Sequence, residues 1–369
     1  MQGVRRGLRT IRAGLMAGVC LGAAAAVHAD DATWSAAPPN NNWNDGANWT
    51  SIPPHTVPDG TASFGESTQK SIVFSSNFTS IGSINFSATA PLYTFAITGG
   101  QAFVVNGTGA GGGIASSSIS SPVFTVTGAL SGVAFFNGAT AVGAEFAISG
   151  SGNLSFRDNS AAVAVINNTN FGTTTFFNKS AASAPLAPGQ AVLASLIFNA
   201  SGGTTSFFNQ SNAFLASIFN GLNGSTKFFD SSTAGNATIT NDTNGVTIFG
   251  NTSDAPSAGQ ATILNNSGGR TDFNASSIAD HATITTISGG LTNFNDTSTA
   301  DHATITNDGG QTIFGQNSKA GSAQITNQNG GQRFSSGRRL PRPSPTRAAG
   351  RLSLPLPARP APPISPILN

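Results

Sequence analysis

The sequence predicts an all-β chain folded as a parallel β-solenoid, a β-helix with coils of about 20–21 residues, and three observations carry that prediction. First, close variants of Ala303–Phe314, ATITNDGGQTIF, recur through more than half of the chain: two strand-like pieces, A-x-I-x-N and T-x-F, joined by a turn that usually holds Gly-Gly. Second, the closing Phe returns at Phe156, Phe176, Phe207, Phe228, Phe249, Phe273, Phe294, Phe314 and Phe334, with gaps of 20, 31, 21, 21, 24, 21, 20 and 20. Third, a central apolar residue keeps the same beat at Phe146, Ile166, Phe198, Ile218, Ile239, Ile263, Ile284, Ile305 and Ile325. Two registers sharing one period mark a stack of coils in which each coil contacts its neighbours.

In chain order, residues 1–29 read as a signal peptide. Arg5, Arg6, Arg9 and Arg12 open it, the apolar run Ala13–Val27 follows, and Val27-His28-Ala29 closes it as a small-x-small cleavage site. The apolar run, about 15 residues, falls short of the ~20 that a membrane-spanning helix needs. Val19 is too bulky to precede a lipidated cysteine, which argues against a lipoprotein anchored at Cys20. Arg5-Arg6 would also suit a twin-arginine leader, although basic leaders contain such pairs by chance. Cys20 is the chain's single cysteine, so the mature chain has neither a disulfide nor a thiolate site.

Residues 30–92 do not follow the repeat and hold all three tryptophans, Trp34, Trp43 and Trp49. An open solenoid end exposes core and unpaired strand edges, which bulky aromatics can cover, so this region is read as an N-terminal cap. The other reading is a sugar-stacking platform, since aromatic faces also serve that purpose.

Residues 93–334 form the repeat array, irregular at TFAIT and FTVTG and regular after Ala144. Strand alternation points the Ala, Ile and Asn of ATITN inward and both Thr outward; in GQTIF it points Thr and Phe inward and leaves Gln311 and Ile313 outside. The closing Phe would then stack as a ladder, each worth roughly 1.5–3 kcal/mol on burial, and with the Ile column would supply a core without a globular centre. Inward Asn241, Asn265, Asn307 and Asn327 end the first strand, where stacked amides can satisfy one another. Gly pairs at 202-203, 268-269, 289-290, 309-310 and 330-331 supply the positive φ of a sharp corner. SAPLAPGQ, inside the longest gap, is expected to bulge out as a loop. Eleven or so coils at ~4.7–4.9 Å give a rod of roughly 50 Å.

Residues 335–369 change character, with nine of the 19 Pro and no acidic residue. They read either as an extended, Pro-rich disordered tail or as translation in a shifted frame of GC-rich DNA. The net charge of +2 hides an asymmetry: between Asp30 and Gln332, six Lys and Arg face fifteen Asp and Glu, 6 − 15 = −9. An acidic body excludes a nucleic-acid footprint.

WNDGANW, VPDGTASFG and units such as SSTAGNATITNDTNG and STADHATITNDGGQTIFG, together with the leader, resemble the passenger region of bacterial autotransporters (type V secretion), in particular passengers built from autotransporter-associated β-strand repeats. The resemblance covers about Asp30 to Phe334. It implies a right-handed parallel β-helix, carried to the cell surface or secreted with the help of a C-terminal outer-membrane β-barrel, and it is nearly silent on activity. No barrel follows here, because the tail lacks alternating strands of ~10 residues and does not end in an aromatic. Membrane contact would come only through such a barrel, and a product stopped without one would stay in the periplasm.

An enzyme acting on polysaccharide is the alternative, since such enzymes also use β-helices, and it needs carboxylates converging within a few ångströms. Asp280-His281 and Asp301-His302, 21 residues apart, would stack on adjacent coils and are weak metal candidates; the competing reading is a duplicated turn that elsewhere reads AGNAT or AGSAQ. GGxTxF lacks the Asp of calcium-binding nonapeptides. Outward Thr columns (Thr238/Thr240, Thr283/Thr285, Thr304/Thr306) resemble those of ice-binding solenoids, but Leu264 and Gln324 interrupt them and Thr is also a common strand-surface residue. The sequence thus leads to an exported, adhesin-like structural solenoid without catalytic residues, metal or cofactor, whose partners would be cell-surface glycans or proteins.

Overall fold

The computed structural model describes residues 30–335 except 108–111, 185–192, 252 and 316, so the leader with Cys20 and the tail from Ser336 lie outside the described residues. Among these residues the chain forms 31 strands and one 3-10 turn, Gly46–Asn48, with no α-helix. Among the described residues no helix is long and apolar enough to cross a membrane. All but two of the strand ladders are parallel, the exceptions being Ala32–Trp34 with Trp49–Ser51 and Ser183–Ala184 with Leu193–Ala194. The fold is a parallel β-solenoid.

Each coil contributes to three sides. One side is a twelve-stranded parallel sheet running from Phe78–Ile81 to Gln332–Ser335. The second runs through Thr94–Ile97 and Val123–Thr127 to Thr238–Asn241, Thr304–Asp308 and Gln324–Gln328. The third starts as a strand ladder, Ala32 beside Ala62 and Ile84 beside Ile114, and thins to single bridges that link Ala181, Asn212, Thr233, Ser257, Ile278, Thr299 and Lys319. Stacking therefore begins in the first strand, upstream of the expected boundary at residue 93. The early coils depart from the repeat in length and sequence, not in architecture.

The closing Phe form one continuous stack. From Phe135 through Phe156, Phe176, Phe207, Phe228, Phe249, Phe273, Phe294 and Phe314, successive ring centroids lie 4.7–5.0 Å apart with interplanar angles of 10° or less. That step is the inter-strand spacing, so backbone pairing sets the ring separation. Across the core, Phe95, Phe124 and Phe146 hand over to Ile166, Ile197, Ile218, Ile239, Ile263, Ile284 and Ile305, all buried, while Ile325 in the last described coil is half-buried.

Two positions correct the expected ladders. Phe198 is exposed and pairs with Asn167 and Phe219; Ile197 takes the inward place, because Asn199 holds the register and LIFN puts Ile two residues before it. Phe334 leaves the Phe stack: it lies beside outward Ile313, with Arg333 beside Thr312 and Ser335 beside Phe314. The last coil reads GGQRFS where the repeat has GGxTxF, so the Gly turn fixes the register and Phe arrives one residue early. Arg333 instead lays its guanidinium 5.1 Å from the Phe314 ring.

Buried amides form a second ladder. Asn168 Nδ2 donates to Asn199 Oδ1 at 2.8 Å, Asn199 to Asn220 at 2.9 Å, and Asn220 to Asn241 and Asn241 to Asn265 at 2.8 Å. From the facing strand, Thr174, Thr205, Thr226, Thr247 and Thr271 donate to the amide oxygens, each at 2.8–2.9 Å. Thr286 stands in this column between Asn265 and Asn307, and Asn307 donates to an exposed Asn327 at 2.7 Å. Asn220→Ala would take from a dry core the acceptor shared by the Asn199 amide and the Thr226 hydroxyl and the donor to Asn241; we expect a loss of about 2–4 kcal/mol in chemical unfolding, and a loss below ~0.5 kcal/mol would refute the ladder's contribution.

The Gly pairs divide two tasks. Gly202, Gly268, Gly289, Gly309 and Gly330 have φ of 76–85°. Their partners do not: at Gly203, Gly269, Gly290, Gly310 and Gly331 a Cβ would stand 2.0–2.5 Å from a carbonyl oxygen of the preceding coil. The second glycine is therefore a close-approach residue.

The three tryptophans fill the first coils. Trp34, Trp43 and Trp49 are at most 3% exposed and contact Phe64, Phe74, Phe95 and Phe103. No indole face is open to a sugar, which removes the stacking-platform reading. Tyr93, the chain's single Tyr, is fully buried beneath this cluster and donates its hydroxyl to the Gly65 carbonyl at 2.7 Å. Burial pushes its phenol up to about 12 from an ordinary 10.0. Because the fold favours the neutral form, its contribution is complete below pH ~10 and is lost as pH rises toward 12. A tyrosinate absorbance titration of the folded chain should rise near 12, and Tyr93→Phe should flatten the alkaline part of the stability profile; titration near 10 in the folded state would contradict this burial.

Candidate functional site

Ladder positions are fixed by the core, so function must be sought on the outward columns and corners. Asp280 and Asp301 occupy a corner with φ of 55° and 52°, where equivalent coils have Gly235, Gly259 and Gly321. Asp tolerates this conformation better than most residues. The His281 and His302 rings stack with centroids 5.1 Å apart and 5° between planes. Each ring turns Nδ1 to its own neighbour, Asp280 Oδ1 at 2.6 Å and Asp301 Oδ1 at 3.1 Å. Parallel rings aim their in-plane lone pairs side by side, so the four weak metal candidates are adjacent but do not converge. Among the described residues no three His, Cys, Asp or Glu side chains are grouped to hold a metal.

The second side carries the outward Thr columns, Thr238, Thr262, Thr283 and Thr304 in one and Thr240, Thr285, Thr306 and Thr326 in the other. Gln324 closes the first column and Leu264 divides the second. The chemistry changes toward the middle of this side. Where later coils have Thr, the strands Leu196–Asn199 and Ser217–Asn220 present Leu196, Phe198 and Phe219, exposed 44%, 41% and 37%. Phe198 and Phe219 have ring centroids 6.4 Å apart.

Two corners flank these strands. Phe171 and Leu222 rise on one, Phe214 and Leu215 on the other, all exposed. C-terminal to Leu130, these seven are the exposed large hydrophobic side chains of the described residues. Chance scatter would distribute them along the rod; instead they gather within three coils. No Lys, Arg, Asp or Glu belongs to the patch. Glu145, bonded to Asn167, precedes it, and Asp242 follows at the next coil's corner.

The backbone under the patch is unusual. Phe171 has φ of 64°, at the corner position that Gly202, Gly268 and Gly289 fill in other coils. Phe214 has φ of 49°, at the position of Gly235 and Gly259. A left-handed conformation costs a bulky residue about 1–2 kcal/mol. The Phe171 ring lies over the next coil's corner, where a Cβ on Gly202 would come within 2.8 Å of it. Folding alone would favour small or short polar residues at both places: Gly or Asp at the Phe214 position, and mainly Gly or Asn at the Phe171 position, as in the other coils. Strain at exposed aromatic residues is a pointer to function.

The sequence reading missed this patch because it counted Phe198 as core. Aligning LIFN and SIFN on their Asn, rather than on the Phe spacing, would have turned both aromatics outward.

No family model matches the chain, and no curated protein matches it. Among solved structures it is similar to a TibA fragment hyper-glycosylated by TibC catalysis, at 18% identity and a TM-score of 0.29, with 75% of this chain and 97% of that chain covered.

Proposed function

We propose that this chain is an exported β-solenoid passenger, surface-borne or secreted, that works without catalysis by presenting an adhesin-like binding face formed by Phe171, Leu196, Phe198, Phe214, Phe219 and Leu222. Export and the passenger role draw support from the leader and from the resemblance of its repeats to autotransporter passengers. The single observation behind the binding face is the gathering of exposed, partly strained aromatics on coils whose neighbours carry Thr, Gly and Asn.

The partner is an apolar segment of another protein. The patch spans about three coil steps along the rod and one strand's width across it, roughly 10–15 Å each way, or on the order of a few hundred Å². That is well below the ~800 Å² per partner of a standard interface, which disfavours a rod-to-rod dimer through this patch alone. Phe and Leu without Trp, Tyr or a charged fringe suit apolar side chains better than sugar hydroxyls. The acidic body also disfavours an anionic lipid surface.

The test uses the secreted solenoid, an array of amphipathic peptides, a glycan array and sedimentation velocity. Phe198→Thr with Phe219→Thr, which imitates the neighbouring coils, should leave thermal unfolding intact and weaken peptide binding tenfold or more. Phe171→Asn should hold or raise stability by about 0.5–1 kcal/mol while also weakening binding. Glycan binding without peptide binding, a dimer that the double variant dissolves, or no binding at all would each overturn this partner assignment.

A further inference from the structure

The N-terminal end of the rod carries an inference independent of the binding face. Asp30 is the first described residue, and its backbone nitrogen donates to Asp59 Oδ1 at 2.7 Å. The Asp30 carbonyl accepts from the Asp59 and Gly60 amides at 3.2 and 3.0 Å. Next along the chain, Asp31 Oδ1 accepts from the Thr61 amide at 2.6 Å, after which Ala32 and Thr33 pair in parallel with Ala62 and Ser63. Asp30 is thus clasped by Asp59-Gly60 before strand pairing begins. Asp30 also directly follows the small-x-small sequence Val27-His28-Ala29.

We propose that the Ala29–Asp30 bond is a processing site and that the amine released there is held by Asp59 as an ion pair that completes the N-terminal end of the solenoid. Hydrolysis by a signal peptidase adds the hydroxyl of water to the Ala29 carbonyl carbon and its proton to the Asp30 nitrogen, which takes a further proton from solvent to become an ammonium. Before cleavage that nitrogen is a neutral amide with one N–H. Afterwards it carries a positive charge and three N–H donors, and the contact to the Asp59 carboxylate becomes charge-assisted. The 2.7 Å separation is at the short end for a neutral amide donor and ordinary for an ammonium on a carboxylate. Removal of the leader therefore switches on a contact that the precursor has only in a weaker form, at the edge where the first strand joins the stack.

The experiment uses the exported chain. Intact-mass and N-terminal peptide analysis should give Asp30 as the first residue; a mature chain starting elsewhere overturns the assignment. Competitive labelling of the α-amine against pH should then give a midpoint above the ordinary ~7.7–8.0, with labelling near pH 8 slowed about threefold, and Asp59→Asn should restore the ordinary rate. A raised amine pKa adds stability below pH ~8 that is lost as pH rises through the folded value. A chain with one extra Ala before Asp30 displaces the amine while keeping Asp59, and should lose both the slowed labelling and this pH dependence while remaining folded. Identical labelling in all three chains would overturn the ion pair even if cleavage at Asp30 is correct.

Discussion

Phe294→Asp is expected to unfold the C-terminal coils at temperatures where the N-terminal coils stay folded. The Phe294 ring is fully buried, with Phe273 at 4.7 Å on one side and Phe314 at 4.8 Å on the other. Truncating such a ring costs about 3–5 kcal/mol, and an unpaired carboxylate in the same dry site adds several more. A globular core would spread that loss over the whole domain. In a solenoid each coil is held by its two neighbours, so the damage stays local and the array divides at the substituted coil. Hydrogen exchange should lose protection across Leu291–Phe314 and keep it in the sheet before Phe273. Gln311→Asp, on the outward face of the adjacent strand, should change stability by no more than ~0.5 kcal/mol. Unchanged thermal unfolding of Phe294→Asp would sink the inward assignment of the stack.

Gly245→Ala is expected to damage the array about as much, through the backbone. A Cβ there would stand 1.9 Å from the Asn220 carbonyl oxygen and 2.8 Å from that of Asp242. Neither obstacle can swing aside. The Asn220 carbonyl belongs to the preceding coil and accepts from the Asp242 amide at 2.8 Å, while the Asp242 carbonyl accepts from Gly245 itself at 2.7 Å. Relief requires opening the coil spacing, which also breaks the Asn220–Asn241 amide contact. We expect a loss above ~4 kcal/mol. Gly268→Ala is the informative comparison: its φ is 79°, but the nearest atom to an added Cβ is 3.3 Å away, so it should lose only the ~1–2 kcal/mol of a left-handed alanine. Equal losses at the two positions would refute this division between close approach and conformation.

The sequence by itself determined the stacking period and most facing assignments. Side-chain alternation has a period of two, and once ATITN is tied to a buried Ile and GQTIF to a buried Phe, the other positions follow. The inward Asn and Thr were legible for the same reason, and so was the Asp280–His281 corner as a variant of a Gly-containing turn. Counting by Phe failed where Phe is not the element that holds register. At Phe198 and Phe334 the amide ladder and the close-approach Gly decide, because a buried Asn must meet a polar partner on the neighbouring coil and a carbonyl 2.0 Å from a would-be Cβ tolerates no shift.

Only the tertiary structure decided the third side, the inclusion of residues 30–92 in the stack and the existence of the apolar patch. The third side is built from single bridges in most coils, too short to leave a periodic signature. The patch draws on two strands and two corners spread from Phe171 to Leu222, and strand alternation says nothing about what a corner residue faces. Its meaning also depends on φ at Phe171 and Phe214, a backbone property that those residue types alone would never announce. Local alternation is written in the chain; adjacency between coils is created only when they stack.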